Sequence, residues 1–356
     1  MKNRFIMSVA SLFIAALITG CVADKPAEPL PLTGPIPGLT ADSRYMIHYG
    51  DWEERHIRYA EKFDLAIVHP FSNITPQIVA DIKDGADNLR GTDDDVWIVA
   101  YVSVGEEHPG PVREGDGRGP VTWKEGELVY KNKGAASYYL DADDDGEVDV
   151  NGTWASYYVN AGDLQWQEYL RQRDNGFDDI LHNLGCDGFF LDTIDSASPW
   201  HVYQWMLPGM GQFIETLRKW YPQSIIVANR GLFYFYNDLD AYQYNIRPHV
   251  NAVMFESFYT GWDWDQNFGT VNPWFETSHK AEATPHVLRE SQLPDGFNVL
   301  VLDYLNPEQP DYAPLFRNQI LEVTSHPGWL NCITDKLIRS GINLTVPIMM
   351  ANPGSE

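Results

Sequence analysis

Short apolar runs recur along the chain: Tyr45–Tyr49, Leu65–His69, Val96–Val104, Gly188–Asp192, Ser224–Asn229, Ala252–Glu256, Asn298–Leu305 and Leu330–Thr334. Between most of them lie stretches with amphipathic helical spacing, as in Trp52–Phe63, Pro76–Leu89, Leu164–Leu184, Tyr203–Trp220 and Pro314–Ser325. Near-continuous apolar strands alternating with helices are the pattern of a parallel sheet covered on both faces. Eight such units predict an α/β fold, a (β/α)8 TIM barrel, as a single domain over 40–356. An open doubly wound sheet is the competing arrangement, but no Gly-rich dinucleotide fingerprint follows the first run. The stretch 105–160 is too long for a simple connection and carries few helix signals. It reads as an insertion after strand 3 on the catalytic face.

The N-terminus follows a different pattern. Lys2 and Arg4 precede the apolar stretch Phe5–Ile18, and Ile18-Thr19-Gly20-Cys21 resembles a bacterial lipoprotein box. In such signals the cysteine is lipidated, so residues 1–21 are expected to be a signal peptide ending at Cys21. The protein would then be anchored at the cell envelope, and in the outer membrane if the cell is Gram-negative, because Val22 rather than Asp follows. The Pro- and Gly-rich segment 22–39 reads as a flexible tether. No other segment is apolar enough over the length that spans a bilayer. An oxidising compartment permits a disulfide. Cys186 and Cys332, however, fall on opposite sides of the predicted barrel and are expected to be buried and unbridged.

Composition narrows the partners. A formal charge of −25 argues against nucleic acid, whose phosphates would be repelled. It fits either a soluble extracytoplasmic surface or attraction to a cationic polymer. Aromatic content of 13%, with twelve tryptophans, serves sugar stacking or core filling.

The candidate chemistry sits at the ends of the runs. Gly188-Phe-Phe-Leu-Asp192 and Ala252-Val-Met-Phe-Glu256 each place a carboxyl directly after apolar residues. The C-terminal strand ends of a barrel line its active site, and two carboxyls there are the equipment of a glycosidase. Burial beside aromatics would keep one of them protonated. The alternative is a structural ion pair with a residue such as Arg230. Asp195 either contacts ligand or caps the next helix. Tyr101 and Ser103 share one strand face. Ser103 and Glu106 are expected in the cleft and Glu107 in solvent. Asn229, Arg230, Asp303 and Tyr304 end two further strands and are expected to bind substrate. Tyr49, Tyr259 and Trp262 join them as aromatic contacts. His69 is placed there as a strand-end ligand contact, although packed histidines are commoner, and His48 poses the same choice. No nucleophilic triad and no zinc-like spacing is present, so no cofactor is expected for catalysis.

One acidic segment stands apart. Asp141, Asp143, Asp145, Glu147 and Asp149, with Gly146 at the sixth place, mimic the first nine positions of a calcium loop. The twelfth position is Gly152, so the bidentate acid is missing. A structural calcium through a rearranged loop and a solvated acidic turn both remain open.

Gly185-Cys-Asp-Gly188-Phe-Phe-Leu-Asp192-Thr-Ile-Asp195 and Tyr101-Val-Ser-Val-Gly105-Glu106 resemble the motifs of glycoside hydrolase family 114. So do Phe255-Glu256-Ser257, Val299-Leu-Val-Leu-Asp303-Tyr304 and the segment around Thr334-Asp335. The resemblance covers about 43–340. It implies a (β/α)8 barrel, Asp192 and Glu256 as the catalytic pair, and endo-cleavage of α-1,4-linked polygalactosamine, a polymer that is cationic when deacetylated. The chain departs from the family at Val68-His69-Pro70, where relatives often carry an acid, and in its large insertion after strand 3. The sequence therefore predicts a monomeric, envelope-anchored glycosidase acting on an amino-sugar polysaccharide. Its rivals are a non-catalytic carbohydrate-binding lipoprotein on the same barrel and a barrel hydrolase of neutral α-glycans.

Overall fold

A computed structural model describes residues 30–335 and Ile338; the predicted signal peptide, with Cys21, lies outside the described residues. Eight parallel strands form one sheet in chain order: β1 (Tyr45–His48), β2 (Leu65–Val68), β3 (Trp97–Ser103), β4 (Gly188–Asp192), β5 (Ile225–Asn229), β6 (Ala252–Glu256), β7 (Asn298–Tyr304) and β8 (Trp329–Thr334). The sheet curls until β8 lies beside β1. Just past β1, the Tyr49 amide donates to the carbonyl of Ile338 (2.8 Å). This is a (β/α)8 barrel.

Strand alternation divides the apolar residues into two cores. Tyr45, Ile47, Leu65, Ile67, Val99, Tyr101, Phe190, Val227, Met254, Leu300 and Leu302 fill the barrel interior. Their chain neighbours, among them Ala66, Ala100, Phe189, Leu191, Val253, Phe255 and Val301, face the surrounding helices. Each strand is thus buried on both faces, which is why the runs read as continuous rather than alternating. Helices Glu54–Ala60, Pro76–Lys83, Leu164–Gln172, Leu207–Trp220 and Tyr312–Thr324 lie within or close to the predicted amphipathic stretches. Cys186 and Cys332 are buried and free.

Two segments differ from the sequence expectation. Residues 30–39 are not a free tether. Ile36 is buried in the interior cluster and its amide donates to Asn298 Oδ1 (2.8 Å). Trp97 Nε1 donates to the Pro37 carbonyl and Asn251 Nδ2 to the Gly34 carbonyl. Proline and glycine shape this segment as a plug across the N-terminal end of the strands, not as a linker. The second difference is a hairpin after β6, Thr260–Asp263 with Phe268–Val271, which the apolar pattern did not signal.

The insertion after β3 is a β-rich layer. Glu106–Glu107 pairs with Tyr157–Tyr158, and Gly119–Lys124 pairs with Glu127–Ala135. Its root is tightly packed: a Cβ on Gly105 would lie 2.1 Å from Ser196 Oγ and 2.3 Å from the Thr193 carbonyl oxygen.

Candidate active site

Three adjacent strands end in the same way. Asp192, Asn229 and Glu256 are the last residues of β4, β5 and β6. They share the inward parity of Phe190, Val227 and Met254. Each is followed by a non-glycine residue in the left-handed region: Thr193 (φ 64°), Arg230 (φ 57°) and Ser257 (φ 55°). This conformation costs energy, most for a β-branched residue such as threonine. The surroundings hold Thr193 in place. Its Oγ1 accepts from the Gly105 amide (2.8 Å) and lies 2.9 Å from Ser103 Oγ. The chain turns sharply after each functional residue, leaving its side chain at the mouth of the barrel.

Asn229 joins the two acids. Its Nδ2 donates to Asp192 Oδ1 (2.8 Å) and to Glu256 Oε2 (2.7 Å). Those oxygens are therefore no more than about 5.5 Å apart, the 2.8 Å and 2.7 Å bonds laid end to end. Because both partners are acceptors, the orientation of the Asn229 amide is fixed. The Tyr304 hydroxyl donates to Glu256 Oε1 (2.6 Å). Arg230 reaches Glu256 (Nε–Oε2 3.7 Å) and Asp195 (Nη1–Oδ2 3.5 Å). The expected Arg230 ion pair exists, but it bridges these two acids at the mouth.

Electrostatics separate the members of this cluster. Burial, then the Glu256 carboxylate, push the Asp192 carboxyl up to about 6. Burial raises the Tyr101 and Tyr304 phenols well above their usual value, assisted by Asp192 and Glu256 respectively, so both remain neutral donors. A carboxyl that holds its proton near pH 6 beside a second carboxyl is suited to general acid–base work.

An aromatic wall continues from the acids along β1–β3. His69 stacks on Tyr101 (centroids 4.9 Å apart, planes at 21°), and Tyr49 packs edge-on against both rings. Phe71 and His108 extend it. The sequence reading did not single out these last two. Burial, then the Arg173 charge, lower His108 to about 4, so it is a neutral ring at pH 7. Trp262 packs against the interior cluster from the hairpin after β6. Tyr49, His69, Tyr101, Asn229, Arg230, Asp195 and Tyr304 thus gather with Asp192 and Glu256.

Other predicted contacts lie elsewhere. Asp303 has the outward parity of Val301 and is fully buried. It accepts from the amides of Tyr259 (2.9 Å) and Thr260 (2.8 Å) and from Gln319 Nε2 (2.7 Å). Tyr259 is carried by that anchor, with its ring against Phe275. Glu106 is buried in the insertion, where Asn151 Nδ2 (3.0 Å) and the Ser156 hydroxyl donate to it. Ser103 is the exception: it keeps the inward parity of Tyr101, pairs in register with Asp192 and bonds the Tyr101 phenol, while its Oγ also donates to the Glu106 carbonyl (2.6 Å). Glu107 is not solvated: Arg113 Nε (2.6 Å) and the Tyr139 hydroxyl hold it in the interior of the insertion. His48 has outward parity and packs among Trp52 and His56.

The acidic segment is only partly assembled. Asp141, Asp143 and Asp145 present oxygens within 4.8 Å of one another, a set that suits a hard cation. Among the described residues Glu147 does not join this group, and Asp149 is turned onto the Ala142 amide and the Tyr203 hydroxyl. The Lys131 ammonium stands 3.8 Å from Asp141 and pairs with Asp144, supplying positive charge at the same place.

No family model and no curated protein matches the chain. Among solved structures it is similar to the glycoside hydrolase domain of PelA from Pseudomonas aeruginosa, with 19% identity and a TM-score of 0.57 over 84% of this chain and 98% of that one. It is also similar to Aspergillus fumigatus Ega3, solved in complex with galactosamine, with 12% identity and a TM-score of 0.51 over 86% of this chain and 96% of that one. At these identities the likeness is one of fold.

Proposed function

We propose that this protein is a glycoside hydrolase that cleaves within a galactosamine-containing polysaccharide, with Asp192 and Glu256 as its catalytic carboxyls. The observation that carries the reading is the Asn229 amide held between the two acids at adjacent inward strand ends. Carboxyls about 5–5.5 Å apart suit retention, whereas inverting pairs stand roughly 6.5–9.5 Å apart to admit water. One carboxyl attacks the anomeric carbon as the other protonates the departing glycosidic oxygen. The second then takes a proton from water, which displaces the enzyme from the sugar with overall retention.

Three observations support an amino-sugar substrate. The formal charge of −25 attracts a polymer carrying free amines. The motifs resemble those of galactosaminidases, and one solved structure of the same fold holds galactosamine. The same proposal places the enzyme at the bacterial envelope through a lipidated Cys21. A purely binding role is disfavoured because it has no use for two carboxyls converging on one amide at the barrel mouth.

The test is product analysis by mass spectrometry on deacetylated and acetylated galactosamine polymers, with NMR of the first-formed anomer. Oligosaccharides from the deacetylated polymer, released with retained configuration, are expected. Cleavage of neutral α-glucans alone would instead identify a neutral-glycan hydrolase, and no cleavage at all would favour the binding protein. Azide rescue of Asp192→Gly or Glu256→Gly assigns the nucleophile.

A further inference from the structure

Two tryptophans that no part of the mechanism uses meet at the tips of the two insertions. Trp154 belongs to the insertion after β3 and Trp264 to the hairpin after β6, and their ring centroids are 5.8 Å apart with planes at 81°. They remain 57% and 51% exposed, although each has a neighbouring indole to pack on. Exposed indoles present apolar faces that stack on sugar rings and attract ammonium groups.

Both loops are fixed at their roots beside the acids. The Trp154 turn is tied by Asn151 and Ser156 to the buried Glu106 carboxylate. Glu106 lies three residues beyond Ser103, which pairs in register with Asp192. The Trp264 hairpin is gripped by Gln309, whose side chain both donates to and accepts from the Gly269 backbone (2.9 and 3.0 Å). Gly269 lies so close to β7 that a Cβ there would stand 2.0 Å from the Tyr304 carbonyl oxygen. The Tyr259–Thr260 start of the hairpin hangs on Asp303. Strands β3 and β6 flank β4 and β5 in the sheet. Contact between the two tips therefore spans the part of the mouth where Asp192, Asn229 and Glu256 converge.

We propose that Trp154 and Trp264 form a binding subsite for a sugar ring of the polysaccharide remote from the scissile bond, an aromatic clasp across the cleft. The inference rests on the glycosidase reading and names how that site holds a long chain. A chain lying in the cleft passes the clasp only if it extends beyond the reacting units. The clasp therefore adds affinity for long substrates and little for short ones. Free amines on the ring add cation–π attraction to stacking.

The test compares kcat/KM for galactosamine oligomers of increasing length in wild type, Trp154→Ala, Trp264→Ala and the Trp→Phe pair. The ratio of long-chain to short-chain kcat/KM is expected to fall about ten-fold in each alanine variant, through KM, as removal of one base-strength stacking contact would give. Phenylalanine should restore most of it. An unchanged ratio, including one accompanied by a lowered melting temperature, overturns the clasp and makes the pair a loop staple. Polymer-induced change in tryptophan fluorescence of Glu256→Gln protein, with and without Trp154 and Trp264, reads binding independently of turnover. If no polysaccharide is cleaved, the glycosidase reading fails, and the fluorescence still decides the clasp.

Discussion

Four carboxylates stand at or just beyond the C-terminal ends of β3, β4, β6 and β7, and the barrel uses them in two ways. Asp192 and Glu256 face inward, share one amide donor and compete for charge in a buried mouth. Asp303 faces outward and Glu106 sits in the insertion, and each accepts hydrogen bonds from a loop, although burial pushes the Asp303 carboxyl up to about 7. The first pair is held in tension with its neighbours. The second pair stands outside that cluster and spends its hydrogen bonds on fixing the loops that carry Trp154 and Trp264. A carboxylate with its donors already placed is structural; one facing another carboxylate is available for chemistry.

The largest effect that separates the two pairs is on turnover. Asp192→Asn and Glu256→Gln should each lower kcat on the polymer by roughly 10³-fold, as loss of a positioned acid or nucleophile does. The fold should survive in both. Stability against pH tests how strongly the site strains Asp192. Folding raises the Asp192 carboxyl from 3.8 to about 6, so the folded state disfavours its ionised form. The favourable linkage is complete below pH 4 and lost as pH rises through 6. Asp192→Asn escapes that loss and should be more stable than wild type at pH 8, by up to about 3 kcal/mol, with no such gain at pH 4. Denaturant melts at the two pH values measure it, and an equal difference at both would show that Asp192 is not strained by its site. Wild-type turnover should likewise fall as pH rises through about 6, where the Asp192 carboxyl loses its proton.

Burial raises the Asp303 carboxyl as well, to about 7, yet Asp303→Ala should destabilise, because the two backbone amides that the carboxyl anchors have no other acceptor among the described residues. It orphans two backbone N–H groups and the Gln319 amide, with a loss of roughly 3 kcal/mol of stability at neutral pH. Residual folded protein should still cleave short substrates. If Asp303→Ala instead abolishes turnover in folded protein, the division between the pairs fails.

The sequence pattern carried the barrel because buried strands and amphipathic helices have distinct periods. It also put Asp192 and Glu256 at strand ends, each directly after an apolar run, although that sign alone does not separate a reacting acid from a buried anchor such as Asp303. It misplaced Asp303 because Val299-Leu-Val-Leu is apolar on both faces, leaving no alternation to show that the acid falls one residue short of the inward position held by Tyr304. Segment 30–39 has a linker's composition, and only the finished barrel supplies the floor on which Ile36 packs. Trp154 and Trp264 were invisible as a pair because their contact joins loops far apart in the chain, and no local period encodes such a contact.

Glu106→Gln gives a smaller effect that tests the loop-anchoring half of the comparison. The amide keeps the volume but turns one acceptor oxygen into a donor facing the Asn151 amide or the Ser156 hydroxyl. Loss of about 1 kcal/mol of anchoring should loosen the Trp154 turn and lower long-chain kcat/KM roughly five-fold. A loss as large as that of Glu256→Gln would move Glu106 into the catalytic group.

The mildest prediction concerns charge at a distance. A cationic chain approaching a surface of net charge −25 gains from attraction that salt screens. On going from about 0.01 M to about 1 M salt the screening length shrinks from roughly 30 to 3 Å, and kcat/KM on a deacetylated polymer should fall several-fold. The two kinds of carboxylate respond differently to this test. Exposed acids such as Asp195 and Asp265 contribute to the attraction and are screened. Asp303 and Glu106 are buried and compensated by their donors, so salt should leave their anchoring untouched. Glu106→Gln should therefore show the same salt slope as wild type from a lower starting value, whereas Asp195→Asn should flatten the slope. If salt instead erases the difference between Glu106→Gln and wild type, Glu106 acts through its charge on the substrate and not through the loop it holds.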